Sequence, residues 1–228
     1  MKVLGIWIMC GGLFLAGCAT PPAPVSHDGL HLVQDKGWDQ LYVKPDIDIA
    51  DYHAFALQPC TVAFRDNWMR SQNSGRNIGG QRVSERDMQE IQERLAAVCD
   101  EYFEKSLRQE PAYRLVAEGE TPEAAQYDTQ TQVLELKPAI IDLDIHAPDI
   151  DGATKVRSYT TSFGEMTLLL EAYDARSGEI VARIVDRKVD QDSMNHLQWT
   201  NRVTNMADAK RYMRSWTRSL RNHLDASR

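Results

Sequence analysis

The segment Ser84–Tyr102 constrains the fold more than any other part of this chain. Ser84-Glu85-Arg86-Asp87 has the form of a helix start, with Ser84 placed to accept a hydrogen bond from an otherwise unpaired backbone N–H. Met88, Ile91, Leu95, Val98 and Tyr102 then recur at spacings of three and four, which gathers them on one side of a helix. Pro111 stops the helix, because it has no N–H to give. Such a helix must bury its apolar side against something. Its flanks supply the surface. Residues Tyr52–Phe64 alternate through Phe55, Leu57, Val62 and Phe64, which predicts a strand interrupted by a kink or bulge at Pro59. A short strand is expected at Tyr113–Ala117. A helix between two strands implies a right-handed crossover and parallel pairing.

The later elements are hairpin-like. A strand is expected over Thr129–Asp142. Gly164–Asp174 and Glu179–Lys188 bracket Ala175-Arg176-Ser177-Gly178, which is turn chemistry. Met206, Ala209, Met213, Trp216, Leu220 and Leu224 form the apolar face of a last helix over Met206–Leu224. The predicted order is β-α-β-β-β-β-α. It implies an α+β two-layer sandwich with a mixed sheet of about five strands and two helices on one face. Leu30–Val43 is expected to cover one edge, and Arg65–Val83 to form a long polar connection. With no internal repeat or second linker, residues 30–228 are expected to form a single domain.

The beginning of the chain reads differently. Lys2 precedes an apolar run from Val3 to Leu15, the layout of a secretory signal. The run is shorter than the roughly 20 residues that a membrane-crossing helix needs. Leu15-Ala16-Gly17-Cys18 resembles the lipobox of bacterial lipoproteins. The resemblance implies that residues 1–17 are a signal peptide and that Cys18 is acylated as the first residue of the mature chain. Ala19, where an aspartate would imply inner-membrane retention, implies the outer membrane, with the chain facing the periplasm. Residues 18–29, rich in proline, are expected to be an extended tether.

Removing residues 1–17 removes Lys2, so 25 of the 26 basic residues face 33 acidic ones, a formal −8. That balance argues against nucleic acid as a partner. Cys10 goes with the signal and Cys18 is taken by lipid, leaving Cys60 and Cys99 in an oxidising compartment. Cys99 shares the helix face of Leu95 and Tyr102 and could reach the strand bearing Cys60, so a disulfide is expected. Two separately buried thiols are the alternative. A metal pair is disfavoured, since no histidine stands at ligand spacing from either.

Three segments, LYVKPDIDIADYHAFALQPCTVAF, EAYDARSGEIVARIVDRK and MRSWTRSLRNHLD, together resemble an uncharacterised family of proteobacterial lipoproteins known only as a domain of unknown function. These motifs are turns, strand ends and a core helix. The resemblance carries no catalytic residue to this chain.

The candidate sites are few. Asp142, Asp144, His146, Asp149 and Asp151 cluster oxygen ligands suited to Ca²⁺, although the spacing is not that of an EF-hand and a solvated loop gives the same pattern. Arg211, Arg214, Arg218 and Arg221 recur at helical spacing and could face an anionic partner, or form an ordinary solvated face. Arg65, Arg70, Arg76 and Arg82 surround Trp68 in the polar connection, a possible binding loop. His27 and His31 lack a helical frame that would make them a metal pair. No nucleophile elbow, phosphate loop, zinc helix motif or dinucleotide fingerprint is present, and no cofactor is expected. The sequence thus points to a noncatalytic binding or assembly module, with the membrane and an envelope protein or the cell wall as partners. The alternatives are an anchored envelope hydrolase and a small-ligand or Ca²⁺ carrier.

Overall fold

The computed structural model describes residues 21–74, 82–116, 132–145, 159–160, 164–189, 198–199 and 202–227. Along the chain these form β1 (His31–Val33), β2 (Gln40–Val43), a 3-10 turn (Ile49–Asp51), β3 (Tyr52–Leu57), β4 (Thr61–Phe64), α1 (Trp68–Ser74), α2 (Glu85–Arg108), β5 (Arg114–Leu115), β6 (Gln132–Ile145), β7 (Tyr159–Thr160), β8 (Gly164–Asp174), β9 (Ile180–Val189), β10 (Gln198–Trp199) and α3 (Arg202–Ala226). The fold is α+β. One mixed sheet of eight strands runs β1-β2-β9-β8-β6-β3-β5, with β4 also paired to β6, while β7 and β10 make a separate two-stranded ribbon. The sheet is therefore larger than the five strands expected. Three strands account for the difference. The first predicted strand is broken into β3 and β4, and β1 and β2, three and four residues long, add to one side of the sheet, their mixed polarity leaving little alternation to read.

Parallel and antiparallel halves meet on β6. The chain from β3 crosses through α2, and both β5 and β6 lie parallel beside β3. β6, β8 and β9 then run antiparallel. β3 and β4 are one strand broken at Pro59, stacked end to end along β6, so the predicted kink is real. Pro138 sits at the level where pairing passes from β3 to β4, with Leu136 opposite Leu57 and Ala139 opposite Thr61. A residue with no N–H is least costly where the neighbouring ladder is already interrupted.

A second irregularity keeps the core apolar. Leu134, Leu136, Pro138 and Ile140 point inward from β6, but so do Leu143 and Ile145. Even positions give way to odd ones because the register with β8 shifts between Ile141 and Asp144. Asp142, at φ 51°, is inside that bulge. Aspartate tolerates this left-handed conformation better than most residues.

The hairpin between β8 and β9 follows its turn chemistry. The Asp174 carboxylate accepts from the N–H groups of Arg176 and Ser177 at 3.1 and 2.7 Å, and Gly178 takes φ 71°. Tyr52 donates to the same carboxylate at 3.1 Å, tying the start of β3 to the hairpin.

Helix α2 has a capping box. Asp87 N–H donates to Ser84 Oγ at 3.3 Å, and Ser84 N–H donates to Asp87 Oδ2 at 2.7 Å. Its most buried residues are Leu95, Cys99, Phe103 and Leu107, with Met88, Ile91, Val98 and Tyr102 packed beside them. The buried stripe is thus centred one row away from the predicted one. Met213, Trp216, Leu220 and Leu224 of α3 complete the core. Cys60 and Cys99 are joined by a disulfide, Cα–Cα 6.1 Å, across 39 residues.

Two expectations change. The connection 65–83 contains α1, and Trp68 is buried, stacked on Phe64 with its indole N–H donating to Ile145 O at 2.8 Å. The predicted tether also ends early. Leu32 N–H donates to Pro24 O at 2.9 Å, Val25 bridges to His31, and the Tyr42 hydroxyl donates to Ala23 O at 2.9 Å. Asp28 pairs with Arg183, which also holds Glu171. Residues 23–29 form part of the sheet edge because β1 would otherwise present a row of unpaired backbone groups.

Candidate anion-binding groove

Helices α2 and α3 lie side by side, and the groove between them is a candidate site. It has a volume of about 450 Å³ and is lined by Tyr102, Lys105 and Gln109 from one helix and Arg214, Arg218 and Asn222 from the other. Arg214 and Arg218 are exposed. Arg214 approaches the Tyr102 hydroxyl at 3.5 Å. Glu110 and Asp225 bring negative charge to the same groove, but Asp225 is engaged from below.

Arg221 is the reason, and it corrects the expectation that all four arginines face a partner. Its side chain is buried. Its guanidinium donates to the carbonyls of Ser106, Gln109 and Pro111 at 3.0, 2.6 and 2.5 Å, and to the Asp225 carboxylate at 2.8 Å. The group also lies 4.8 Å from the centre of the Tyr113 ring, whose hydroxyl donates to Asp225 at 2.8 Å. Helix ends leave carbonyls without intrahelical partners, and a cation there also meets the negative end of the helix dipole. Arg221 therefore closes the C-terminal end of α2 and forms the floor of the groove. Arg211 is turned elsewhere, paired with Asp208 at 3.3 Å and lying beside Tyr212. Only Arg214 and Arg218 of the four, with Lys105, offer cations to the groove. Such a surface can hold a phosphate or carboxylate through charge-assisted hydrogen bonds. Lys105 came from the other helix and had no sequence signal linking it to this set.

One histidine–carboxylate pair is present on the opposite flank of α3. His223 Nε2 is 2.8 Å from Asp35 Oδ2, and Nδ1 is 2.8 Å from Ser219 O. Burial, the largest single influence, opposes charge on the ring, but the hydrogen bonds to Asp35 and to Ser219 O, with the negative charge of Asp35, together outweigh it and raise the His223 pKa. The same hydrogen bond holds the Asp35 carboxyl below its ordinary value. With both ring nitrogens facing oxygen acceptors, the imidazolium is a double donor. A general base needs a free lone pair aimed at a nucleophile, and His223 does not offer one. Asp186 is similarly spent. It is buried, accepting from Trp216 Nε1 at 2.7 Å and Asp39 N–H at 3.1 Å, with Lys188 Nζ at 2.6 Å.

Asp142 occupies the bulge in β6, and Asp144 is paired with Arg65 at 2.5 Å. His146, Asp149 and Asp151 lie outside the described residues, as do Arg76, Cys18 and the signal segment. Among the described residues no group of three or more His, Cys, Asp or Glu side chains is placed to hold a metal ion. Arg70 and Arg82 are exposed, as are His27 and His31. No helix among the described residues is long and apolar enough to cross a membrane.

Comparison with known proteins gives a family and distant fold neighbours. The family described as "Protein of unknown function (DUF3313)" matches residues 26–220. No curated protein matches the chain. Among solved structures, the PelC dodecamer from Paraburkholderia phytofirmans is similar at 10% identity and a TM-score of 0.37, over 79% of this chain and 94% of that one. The hypothetical protein CT253 from Chlamydia trachomatis is similar at 11% identity and a TM-score of 0.35, over 76% of this chain and 98% of that one.

Proposed function

We propose that this chain, which belongs to the DUF3313 family of proteins of unknown function, works as a noncatalytic binding or assembly module held to the outer membrane by lipid on Cys18. The address rests on Leu15-Ala16-Gly17-Cys18 followed by Ala19. The Cys60–Cys99 bridge supports it, since structural disulfides persist in exported proteins and are rare in reducing compartments. Three acyl chains at about 0.8 kcal/mol per buried methylene make the attachment lasting.

The observation that carries the binding half is the α2–α3 groove. Its floor is Arg221, engaged by three carbonyls and the Asp225 carboxylate, while Lys105, Arg214 and Arg218 stand at its sides. This arrangement recognises an anionic group without acting on it. The partner is a periplasm-facing envelope protein or cell-wall component that presents phosphate or carboxylate. In-cell crosslinking with membrane fractionation tests both halves. The wild-type protein should fractionate with the outer membrane and yield a crosslinked species. Cys18→Ser should leave that fraction. Arg214→Glu with Arg218→Glu should remain in it and lose the crosslinked species. Unchanged fractionation of Cys18→Ser would sink the anchor, and an undiminished crosslink in the charge-reversed protein would sink the groove.

A further inference from the structure

The anchor and the folded edge are close in sequence, and that distance has a geometric consequence. Ala23 is held by the Tyr42 hydroxyl, Pro24 by Leu32 N–H and Val25 by its bridge to His31. Only Ala19, Thr20, Pro21 and Pro22 separate Cys18 from this fixed segment. Five residue steps span at most about 18 Å even when fully extended. A domain of about 200 residues is roughly 40 Å across, from a radius of gyration near 16 Å. The link is therefore shorter than the body it holds, and the domain cannot present an arbitrary face to the bilayer.

The edge itself suits a lipid surface. Val25 and Val33 are 47% and 43% exposed, two of the three large apolar side chains most open to solvent among the described residues. Val25 is opposite His31, and Val33 is two residues further along the same strand. Cross-strand partners and alternate residues share a face, so the two valines and His31 project together. In an acidic chain this segment is an exception. Between Pro21 and Gly37 the acids are Asp28 and Asp35; Asp28 is paired with Arg183, which it shares with Glu171, and Asp35 is paired with His223. His27, His31 and Lys36 are the other ionisable groups there. A phospholipid surface thus meets apolar and near-neutral groups at this edge, without the repulsion expected from the rest of the chain.

We infer that the β1 edge of the sheet lies against the membrane surface, with Val25 and Val33 in the headgroup layer. The inference rests on acylation at Cys18 and adds an orientation to it. Strands about 4.8 Å apart place β5, six positions across the sheet, about 29 Å from β1. Arg114 on β5 is therefore the control position.

The test uses the full-length protein in its own membranes, with a photoreactive diazirine side chain placed at Val33 or at Arg114. Phospholipid adducts should form at least fivefold more at position 33. Inserting about twenty Gly and Ser residues between Pro22 and Ala23 should bring position 33 down toward the level of position 114. Equal yields at the two positions in membrane-bound protein would overturn the orientation while leaving the anchor intact. Adducts at position 33 with protein in place of lipid would overturn it too. Absence of the wild-type chain from membranes would overturn the anchor and the orientation together.

Discussion

The two long helices lie on the same face of one sheet but are attached to it by different chemistry. Helix α2 is held to the parallel side by the Cys60–Cys99 bond, by Gln92 donating to Val62 O at 2.8 Å, and by Cys60 N–H donating to Asp100 at 2.7 Å. Helix α3 has no such covalent tie: beside the apolar packing of Met213, Trp216, Leu220 and Leu224, it is held by side-chain hydrogen bonds, chiefly Trp216 to Asp186, His223 to Asp35 and Arg221 to the end of α2. One helix has a covalent tie that no change of pH loosens. The other depends on ionised groups. The α2–α3 groove sits on the boundary between them, so its width is set by how α3 is held.

Removing the covalent tie is the strongest way to test this contrast. A bridge across 39 residues stabilises by about 4 kcal/mol through restriction of the unfolded chain. Cys60→Ala with Cys99→Ala should lower the unfolding free energy by about that amount in urea titrations. A loss below about 1 kcal/mol would show that packing around Leu95 and Phe103 already fixes α2. Arg221→Ala should come next, at about 3 kcal/mol, since three carbonyls and a carboxylate lose their donor at a buried position. Arg221→Lys should recover less than half of it, because an ammonium cannot span the planar fork. Full recovery by lysine would mean that charge, not geometry, closes the end of α2.

Arg221 also shows what the sequence could and could not convey. Arg211, Arg214, Arg218 and Arg221 look equivalent by spacing, yet one is a buried clamp. At about 100° per residue, Arg221 falls nearest of the four to the stripe of Met213, Trp216, Leu220 and Leu224. That was the available signal, but the carbonyls it meets belong to a helix more than a hundred residues away. The α2 helix, the β8–β9 hairpin and the cysteine pair were legible because their causes are local or follow from counting. Periodicity failed where the backbone changed phase. The bulge at Asp142 moves the inward positions of β6 from even to odd, which disguises a long buried strand as a wet, acid-rich one. The strands β1 and β2 are too short to show alternation, and the proline-rich segment before them gave no sign that Ala23–Gly29 would dock.

The smallest expected effect isolates the ionic half of the contrast. The His223 pKa is raised in the folded chain, so its contribution to stability is complete below the unfolded value of 6.5 and is lost as pH rises through the folded pKa. The Asp35 pKa is lowered, so its contribution is complete above 3.8 and is lost as pH falls through the folded pKa. The pair therefore stabilises most between those two unfolded values. Asp35→Asn keeps the side-chain shape and removes only the charge. It should destabilise by about 0.5–1 kcal/mol at pH 5.5, the range of a partly exposed ion pair, and by less at pH 9, because the charged partner is lost as pH rises through the folded His223 pKa. The unfolding free energy of both proteins measured at the two pH values decides it. An equal deficit at both would mean that Asp35 positions the Gly37–Trp38 loop through its backbone hydrogen bond at 2.6 Å, and that α3 is held on this flank by packing against Trp38 rather than by charge.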